Sequence, residues 1–424
     1  MTFRILTLGC KLNCCDSAAI EKALITDGYS KADENDLADV FIVNSCAVTA
    51  TAVAKSRHAL SKAKRDNAKC VTVLCGCFPQ SYPEEAGLKS GADIVLGNSN
   101  KAALPDILRE YFKRPVRTIK VEPMTSDYSE CAPDEDRTRA FIKAQDGCNR
   151  FCTYCIIPKA RGRVRSLPLD KLEEQCRACV ESGHKELVLT GINLGCYGQD
   201  LGLTLLDAVK AAERSGAPRI RLSSLEPELV TDELISGLQS VEALCPHFHL
   251  SLQSGSTAVL KRMARMYTAD RYREVVGRLR EAFPECSITT DIIAGFPEET
   301  DEEFAETVEF AREIGFAKIH VFPYSRREGT VAAEMPQIHP RIRSARVDIL
   351  NEVGKELELQ FFKSQVGKTR TVLIEKPQSE EYSHGFTENY LPVRIYGKPL
   401  PRHSLVKVII TGYREGYCTG REIG

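Results

Sequence analysis

The sequence predicts an α/β protein with an N-terminal doubly wound parallel sheet, a central partial (β/α)6 barrel and a small C-terminal antiparallel β-barrel. Three observations lead to this prediction: strand–helix alternation over residues 1–115, six strand–helix repeats over 137–360, and strands without helices over 361–424. The acidic, proline-containing stretch 116–136 predicts a linker. Because 424 residues are too many for one ordinary core, several domains are expected.

The N-terminal segment alternates short runs of β-branched residues with helical stretches. Near-continuous apolar strands separated by helices indicate a parallel sheet that is covered on both faces. The predicted strands are FRILTLG, DVFIVNS, CVTVLCG and ADIVLGN, and the helices between the first three are SAAIEKALITDG and TAVAKSRHALSKAKRD.

The central segment repeats the strand–helix unit six times. Six units are too few for the closed eight-stranded barrel, so an incomplete, laterally open barrel is expected. The predicted strands are RAFIKAQ, ELVLTG, RIRLSSL, HFHLSLQ, SITTDIIAGF and AKIHVFPYS, and the helices include LDKLEEQCRACVES and DEEFAETVEFAREIG.

The last segment alternates apolar and polar residues with period two between turn residues, which predicts a small antiparallel barrel. Its strands are TRTVLIEKP, LPVRIYG, SLVKVIITGYREG and YCTGREI. From Lys363 onward it holds 10 Lys and Arg against 6 Asp and Glu. With Tyr390, Tyr396, Tyr413 and Tyr417, this basic barrel is compatible with RNA binding by stacking and phosphate contacts. A purely structural cap with inward-packed tyrosines is the alternative.

The composition indicates which partners and which cellular compartment are expected for the protein. The net charge of −1 means that a polyanion partner must be met by a local basic patch. No apolar run reaches the roughly 20 residues of a membrane span, and the first residues lack a signal-peptide pattern. Seventeen Cys without a secretion signal favour a reducing compartment with metal chemistry. We therefore expect a cytoplasmic protein.

The most informative run is DGCNRFCTYCIIPKARGR, which carries Cys148, Cys152 and Cys155. Cys thiolates usually occupy all four irons of a [4Fe–4S] cluster, so three closely spaced thiols would leave one iron open. The alternatives are a zinc site and three unrelated buried thiols. Zinc would require a fourth Cys or His at similar spacing, and none follows before Cys176. The spacing therefore favours the cluster.

A second set of three cysteines shares one topological position. Cys10, Cys46 and Cys77 each lie at the carboxyl end of a predicted parallel strand, where doubly wound sheets place their ligand sites. Neighbouring strands lie about 4.8 Å apart, so these thiols can converge. Gly9 and Gly76 permit tight turns beside a cluster. If the three thiols were buried independently, they would not be expected at the same position after three strands. The shared position therefore favours a second cluster.

The cysteine triplet, with Tyr154 before its last Cys, resembles the radical S-adenosylmethionine (SAM) superfamily. Together with LGCKLN, VNSCAVT, GCFPQ and IIPKARGRVRS, it resembles the methylthiotransferases over essentially the whole chain. The resemblance implies a three-Cys cluster domain, a radical SAM domain and a C-terminal TRAM domain. It further implies an auxiliary [4Fe–4S] cluster on Cys10, Cys46 and Cys77 and a SAM-cleaving [4Fe–4S] cluster on Cys148, Cys152 and Cys155.

The chain departs from the family pattern at Cys14 and Cys15, where Gln-Tyr is more usual, and Cys75 lies two residues before Cys77. Each could compete as an iron ligand. Only Cys10 has the LGC context and only Cys77 the GCxxQ context, so we assign those two.

The motif GCKLN with Lys11 looks most like the branch that modifies N6-threonylcarbamoyladenosine at position 37 of tRNA, and PYSRREGT with Arg327 looks more like the tRNA-modifying branches in general. This resemblance implies that a radical from SAM removes hydrogen from C2 of the adenine. A methylthio group, made with a second SAM at the auxiliary cluster, replaces it. The alternatives are the branches that act on isopentenyladenosine in tRNA or on a ribosomal protein, and, from another class, an RNA-binding iron–sulfur sensor without turnover.

Polar residues at barrel strand ends are candidates for SAM binding, because such barrels carry their active sites there. They are Thr190, Asn193, Ser223, Gln253 and Asp291, with Tyr154 expected near the adenine. Ordinary caps and turns are the alternative for each of them.

Arg161, Arg163 and Arg165 alternate after the cysteine triplet, and we expect them to contact RNA phosphates or the SAM carboxylate. A solvated charge run is the alternative. Cys176 and Cys179 form a CxxC on a predicted amphipathic helix, where a redox role is not expected. The expected partners are a tRNA anticodon loop and an electron donor such as flavodoxin or ferredoxin, and the expected state is a monomer away from membranes.

Overall fold

A computed structural model describes residues 1–33, 36–125, 128, 137–375, 379–397 and 399–423. Contacts divide the chain into two compact units. Unit 1 comprises Met1–Asp134, Gln145–Leu167 and Ser325–Ala333, and unit 2 comprises Glu135–Ala144, Pro168–Tyr324 and Glu334–Gly424. The domain boundaries given above, at residues 115, 136 and 360, stay a prediction about order along the chain.

Unit 1 contains a six-stranded parallel sheet with the order β2-β1-β3-β4-β5-β6. Buried apolar side chains cover both of its faces, as the apolar strands predict. Its strands are β1 (Thr2–Thr7), β2 (Ser30–Lys31), β3 (Val40–Ser45), β4 (Val71–Gly76), β5 (Ile94–Leu96) and β6 (Thr118–Lys120). Its helices are α1 (Lys11–Thr26), α2 (Ala50–Asp66), α3 (Cys77–Ser81), α4 (Pro83–Lys89) and α5 (Leu104–Lys113). The predicted doubly wound parallel sheet is confirmed.

The expected linker 116–136 begins inside this sheet. Its residues Thr118–Lys120 form β6, which pairs with β5 along its whole length. The three-residue run is too short to show as a strand in the sequence. Residues 126–127 and 129–136 lie outside the described part of the chain.

Unit 2 contains the predicted six-stranded barrel. Two three-stranded parallel sheets, β11-β10-β7 and β12-β13-β14, are joined by parallel bridges between Ile220 and Leu244 and between Leu225 and Leu250. The strands are β7 (Ala140–Lys143), β10 (Glu186–Thr190), β11 (Arg219–Leu222), β12 (His247–His249), β13 (Ser287–Ala294) and β14 (Lys318–Pro323). The short strands β8 (Gln145–Asp146) and β9 (Arg165–Ser166) pair with each other and belong to unit 1, as does α6 (Ile157–Arg161).

Helices follow the barrel strands as expected for βα repeats. They are α7 (Leu169–Glu181), α8 (Leu205–Arg214), α9 (Asp232–Gln239), α10 (Thr257–Arg262), α11 (Ala269–Ala282), α12 (Asp301–Ile314), α13 (Val331–Glu334) and α14 (Pro340–Gln365). The last helix runs five residues past the expected boundary at 360.

The C-terminal strands form a closed five-stranded barrel with the order β15-β16-β17-β19-β18. Its strands are β15 (Thr369–Ile374), β16 (Tyr382–Thr387), β17 (Pro392–Tyr396), β18 (Leu405–Arg414) and β19 (Tyr417–Glu422). Four of the predicted strands are present, and β16 is an additional one. The pairing is antiparallel except between β17 and β19, which are parallel because a closed ring of five strands cannot alternate in direction throughout.

Candidate functional site

Three cysteines stand at the carboxyl edge of three adjacent strands in unit 1. Cys10 caps α1 after β1, Cys46 follows β3, and Cys77 begins α3 directly after β4. The sheet order β1-β3-β4 places these strands side by side. Burial, with the neighbouring thiols of Cys77 and Cys10, raises the pKa of Cys46 to about 11. The three thiols therefore lie close enough to interact electrostatically.

Glycines allow the backbone to approach these thiols closely. Gly9 has φ of +110°, and a Cβ there would lie 2.9 Å from Cys46 Cβ and 3.1 Å from Cys46 Sγ. Gly76 has φ of +103°, and a Cβ there would lie 2.6 Å from Asn44 Oδ1. A side chain at either position would be strained and crowded, so only glycine fits these turns.

The sulfurs of this triad receive N–H groups. The Val48 amide donates to Cys46 Sγ at 3.4 Å, and Asn98 Nδ2 donates to Cys77 Sγ at 3.5 Å. Hydrogen bonds to sulfur are one means by which proteins tune iron–sulfur clusters. Among the described residues, no three His, Cys, Asp or Glu side chains form a group that could hold a single metal ion. The donor set, the glycine turns and the N–H groups fit a cluster held by Cys10, Cys46 and Cys77.

The competing thiols have different surroundings. Cys75 is fully buried in the apolar core of the sheet with Val73 and Ile42, and burial raises its pKa to about 12. A thiol packed among apolar core side chains is not accessible to a metal. Cys14 and Cys15 lie within α1. These surroundings support Cys77 over Cys75 as the ligand after β4.

The second cysteine triplet lies between β8 and α6, also in unit 1. Cys148 is buried, and Cys152 and Cys155 are half-buried. The Arg150 amide donates to Cys148 Sγ at 3.3 Å, and the Cys148 amide donates to the Gly162 carbonyl at 3.0 Å. A backbone hydrogen bond therefore fixes the start of this loop. The Cys148 sulfur accepts an N–H group, as the sulfurs of the first triad do, and this arrangement also fits a cluster.

Arg161 and Arg165 are buried, which contradicts their expected contact with RNA. Arg161 is 1% exposed, and its guanidinium donates to Asp146, Asp16 and Asn13. Arg165 donates to the carbonyl oxygens of Thr125 and Arg161. A guanidinium reaches an RNA phosphate only from the surface, and these two are enclosed by acceptors of unit 1.

Arg163 differs from its two neighbours because it is exposed. Its guanidinium lies over the ring of Phe151 at 4.7 Å, and that ring is 59% exposed. The pair forms a cationic and aromatic surface beside the cysteine triplet.

The segment Ser325–Ala333 was not expected to contribute to this site. Arg327 Nη1 donates to the Ala47 carbonyl at 3.1 Å, directly after Cys46. The Ala332 amide donates to the Thr153 carbonyl at 2.8 Å, inside the second triplet. In the sequence this segment is marked only by the motif PYSRREGT. The motif indicates the tRNA-modifying branches of the family, but it does not show that the segment contacts the cysteine loops.

Three of the SAM-binding candidates lie at or just past strand ends of unit 2, whereas Asp291 lies inside β13, three residues before that strand ends. The Gly191 amide, next to Thr190, donates to Ser223 Oγ at 3.3 Å, and the Gln253 amide donates to the Asp291 carbonyl at 2.8 Å. Thr190 Oγ1 is buried without a hydrogen-bond partner among the described residues. Gln253 has φ of +66°, a strained conformation that is found most often at functional sites. An unsatisfied hydroxyl and a strained backbone fit a ligand site.

The two other SAM candidates are Asn193 and Tyr154. Asn193 is buried in unit 2 directly before a short 3-10 turn, and Tyr154 lies in the cysteine loop of unit 1. Their roles stay predictions.

Cys176 and Cys179 are buried on the inner face of α7. Burial raises the pKa of Cys176, and burial raises the pKa of Cys179 to about 12. Neutral, enclosed thiols are inert, so both side chains act in packing.

The tyrosines of the C-terminal barrel divide into two groups, one packed inward and one on the surface, and Tyr413 belongs to the first because it packs against the barrel core. Tyr390 stacks on Phe386 at 4.7 Å between ring centroids and lies under the guanidinium groups of Arg139 and Arg221. It therefore packs inside unit 2. Tyr396 is 56% exposed and lies 5.8 Å from Tyr382, in the second group.

The second group is centred on Arg394. Its guanidinium lies 3.8 Å from the ring centroid of Tyr417 and 4.6 Å from that of Tyr382. We call Tyr382, Arg394, Tyr396 and Tyr417 the tyrosine–arginine patch. It offers aromatic faces and a cation on the outside of the barrel, which are the groups that bind unpaired nucleotides.

Two family models match the chain: the radical SAM superfamily over residues 142–311 and the uncharacterized protein family UPF0004 over residues 2–97. A solved structure of the radical SAM methyltransferase TsrM from Kitasatospora setae aligns with a TM-score of 0.57 at 13% identity, over 78% of this chain and 77% of that one. This likeness supports the fold alone. No helix in the described residues is long and apolar enough to cross a membrane.

Curated relatives match over nearly the whole chain. The threonylcarbamoyladenosine tRNA methylthiotransferase MtaB of Aquifex aeolicus is 39% identical over 92% of this chain and 96% of its own length. The protein of the same name from Bacillus subtilis is 36% identical over 96% and 93%. A tRNA-2-methylthio-N(6)-dimethylallyladenosine synthase of Pelotomaculum thermopropionicum is 31% identical over 99% and 97%. The chain thus belongs to the MtaB-type family of radical SAM methylthiotransferases.

Proposed function

We propose that this protein adds a methylthio group to C2 of N6-threonylcarbamoyladenosine at position 37 of tRNA. The observation that carries the proposal is the convergence of Cys10, Cys46 and Cys77 at three adjacent strand ends, in a unit that also holds the second cysteine triplet. Relatives named for threonylcarbamoyladenosine reach 39% identity, and relatives named for dimethylallyladenosine reach 34%. This difference favours the threonylcarbamoyl substrate.

In this proposal each triad holds one [4Fe–4S] cluster. When bound, the clusters and SAM supply the radical that removes the C2 hydrogen and the sulfur that replaces it. Cys148, Cys152 and Cys155 would hold the SAM-cleaving cluster, and Cys10, Cys46 and Cys77 would hold the auxiliary one. The protein contributes three thiolates to each cluster, N–H donors to sulfur, and glycine turns where the loops of the auxiliary triad must approach a cluster.

SAM binding is assigned to the strand ends of unit 2, where barrels of this kind bind ligands. The buried Thr190 hydroxyl lacks a partner among the described residues, and Gln253 holds a strained backbone beside Asp291. We also assign Ser223 and Asn193 to SAM binding, and Tyr154 is assigned to the adenine from the sequence pattern alone. The unsatisfied Thr190 hydroxyl supports the assignment, because a polar group of a bound nucleoside would satisfy it.

Two exposed surfaces are assigned to tRNA. The Arg163–Phe151 pair lies beside the SAM-cleaving cysteines, and the tyrosine–arginine patch lies on the C-terminal barrel. Both combine a cation with an exposed aromatic ring, which suits splayed nucleotides of an anticodon loop. We also infer a low-potential donor such as flavodoxin or ferredoxin, a monomeric state and a cytoplasmic setting.

The test is the nucleoside profile of tRNA from a strain that lacks this gene, measured by mass spectrometry. The 2-methylthio derivative of threonylcarbamoyladenosine should disappear, and the wild-type gene should restore it. A Cys77→Ala gene should fail to restore it, whereas Cys176→Ala should succeed. Loss of the methylthio derivative of dimethylallyladenosine instead would assign the substrate to the other tRNA branch and overturn the proposal.

A further inference from the structure

Arg161 is the centre of a buried charge network in unit 1. Its Nη1 donates to both carboxylate oxygens of Asp146, at 3.0 and 3.1 Å, and its Nη2 donates to Asn13 Oδ1 at 2.5 Å and to Asp16 Oδ2 at 3.0 Å. Lys101 Nζ also donates to Asp16, at 2.8 Å. All five residues are at most 8% exposed. Such a network is stable only when each charge is paired, as here.

The partners of Arg161 flank both cysteine triads. Asp146 lies two residues before Cys148, and Asn13 lies three residues after Cys10. Asn13 Nδ2 in turn donates to the Leu8 carbonyl at 2.7 Å and to the Ser45 carbonyl at 3.1 Å, just before Cys10 and Cys46. A single guanidinium thus ties together the loops that carry the ligands of both clusters.

The network also brings positive charge close to the auxiliary thiols. Asn13 Oδ1, which accepts from Arg161, lies 3.9 Å from Cys77 Sγ. Asp16 is shared between two cations, and Arg165 adds a third cation 3.6 Å from Asp146. The positive charge of Arg161 thus interacts electrostatically with the thiols of Cys77, Cys10 and Cys46. In a buried region, where screening is weak, such a charge favours an added electron nearby.

We propose that Arg161 is a positioning residue that holds the two cysteine loops together and raises the reduction potential of the auxiliary cluster. The guanidinium stabilises the reduced form because reduction adds negative charge within its field. Charge and hydrogen bonding around the sulfurs are established means of setting cluster potentials. This proposal rests on the two-cluster assignment above and is independent of the tRNA substrate.

The test measures the midpoint potential of the auxiliary cluster by electron paramagnetic resonance during a redox titration. The full chain carries Cys148→Ala, Cys152→Ala and Cys155→Ala, so that only the auxiliary cluster forms. In this background Arg161→Gln should shift the midpoint to a more negative potential. Asp16→Asn, which removes a neighbouring negative charge, should shift it to a more positive one. Opposite shifts would not follow from a purely structural role.

Lys159→Gln is the matched control. Lys159 lies on the same helix but is exposed, with its ammonium over the ring of Tyr82 at 5.2 Å. Its loss should leave the midpoint unchanged. Arg161→Lys keeps the positive charge, so its midpoint potential should stay close to that of the protein with Arg161. The lysine cannot form the bidentate hydrogen bonds that Arg161 donates to Asp146.

Two different failures can be told apart. If the auxiliary-only protein binds no iron after reconstitution, the two-cluster assignment fails. If it binds iron but Arg161→Gln and Asp16→Asn shift the midpoint equally, or not at all, the proposal for Arg161 fails alone. Should Arg161→Gln not fold, as judged by circular dichroism, the decision rests on Asp16→Asn and Arg161→Lys. An unshifted Asp16→Asn protein would then overturn the proposal.

Discussion

Replacing Glu186 with Gln should destabilise unit 2 strongly, because Glu186 is the buried partner of Arg221. The Glu186 carboxylate is fully buried and accepts two hydrogen bonds from Arg221, at 2.6 and 3.1 Å. The same guanidinium donates to the Glu388 carbonyl at 3.0 Å and covers the ring of Tyr390 at 4.7 Å. The pair therefore anchors the β16–β17 turn of the C-terminal barrel.

The expected loss of unfolding free energy arises because the buried guanidinium of Arg221 loses the negative charge that compensates it. Breaking a buried ion pair by removing one partner costs about 3–5 kcal/mol, against about 5–15 kcal/mol for the stability of a whole domain. With a urea slope of about 3 kcal/mol/M, the unfolding midpoint of unit 2 should fall by about 1–2 M. The chain has no Trp, so far-UV circular dichroism is the suitable probe.

Acid should reduce the difference in unfolding midpoint between wild type and Glu186→Gln. Burial raises the pKa of Glu186, but Arg221, Arg139 and Arg219 together bring it below the ordinary 4.5. A carboxylate with a lowered folded pKa stabilises the protein above its ordinary pKa, and this contribution is lost as the pH falls through the folded value. The two midpoints should therefore differ fully at pH 7 and approach each other only as the pH falls below the ordinary value of 4.5 toward the lowered folded pKa of Glu186.

The control is Glu313→Gln. Glu313 pairs with Arg273 on the surface and is half exposed, so its loss should change the stability by less than about 1 kcal/mol. The reasoning is refuted if Glu186→Gln is no less stable than Glu313→Gln, or if its deficit persists unchanged in acid.

Three further outcomes are expected. Gly9→Ala should lower the iron content of reconstituted protein from about eight to about four per chain, because the new Cβ would meet Cys46; Gly28→Ala, at φ of +91° in open space, should keep full iron. Tyr396→Ser should weaken tRNA binding about 5- to 100-fold in a filter assay by removing a stacking surface, and unchanged affinity would argue against the patch. Cys176→Ala should release as much 5′-deoxyadenosine as wild type, because burial raises the pKa of that thiol and holds it neutral; reduced release at full iron would count against a packing role.

The cysteines could be placed from the sequence because strand ends are local features. A run of apolar residues followed by Cys10, Cys46 or Cys77 fixes the topological position of each thiol without knowledge of distant contacts. The strand β16 escaped prediction because Ser383, His384 and Gly385 interrupt the alternation of YSHGFT.

The roles of Arg161 and Arg165 could not be predicted, because they depend on residues that are far away in the chain. A run of alternating arginines usually lies on a solvated face, and only the fold brings Asp16 to Arg161 across 145 residues. Charge pairing over such a distance leaves no local pattern. The same holds for Arg327, which meets the Ala47 carbonyl across 280 residues.

Arg161 and Arg327 also show why the N-terminal sheet is not a self-sufficient cluster module. Arg161 comes from the segment after β8, and Arg327 comes from the segment after β14, yet both are buried in unit 1. Without them Asp16 and Asn13 Oδ1 would lose their guanidinium donor, and the Ala47 carbonyl beside Cys46 would lose the bond from Arg327. Each unsatisfied buried group costs about 1–3 kcal/mol. The surroundings of the auxiliary triad therefore depend on chain segments that follow the first and last barrel strands.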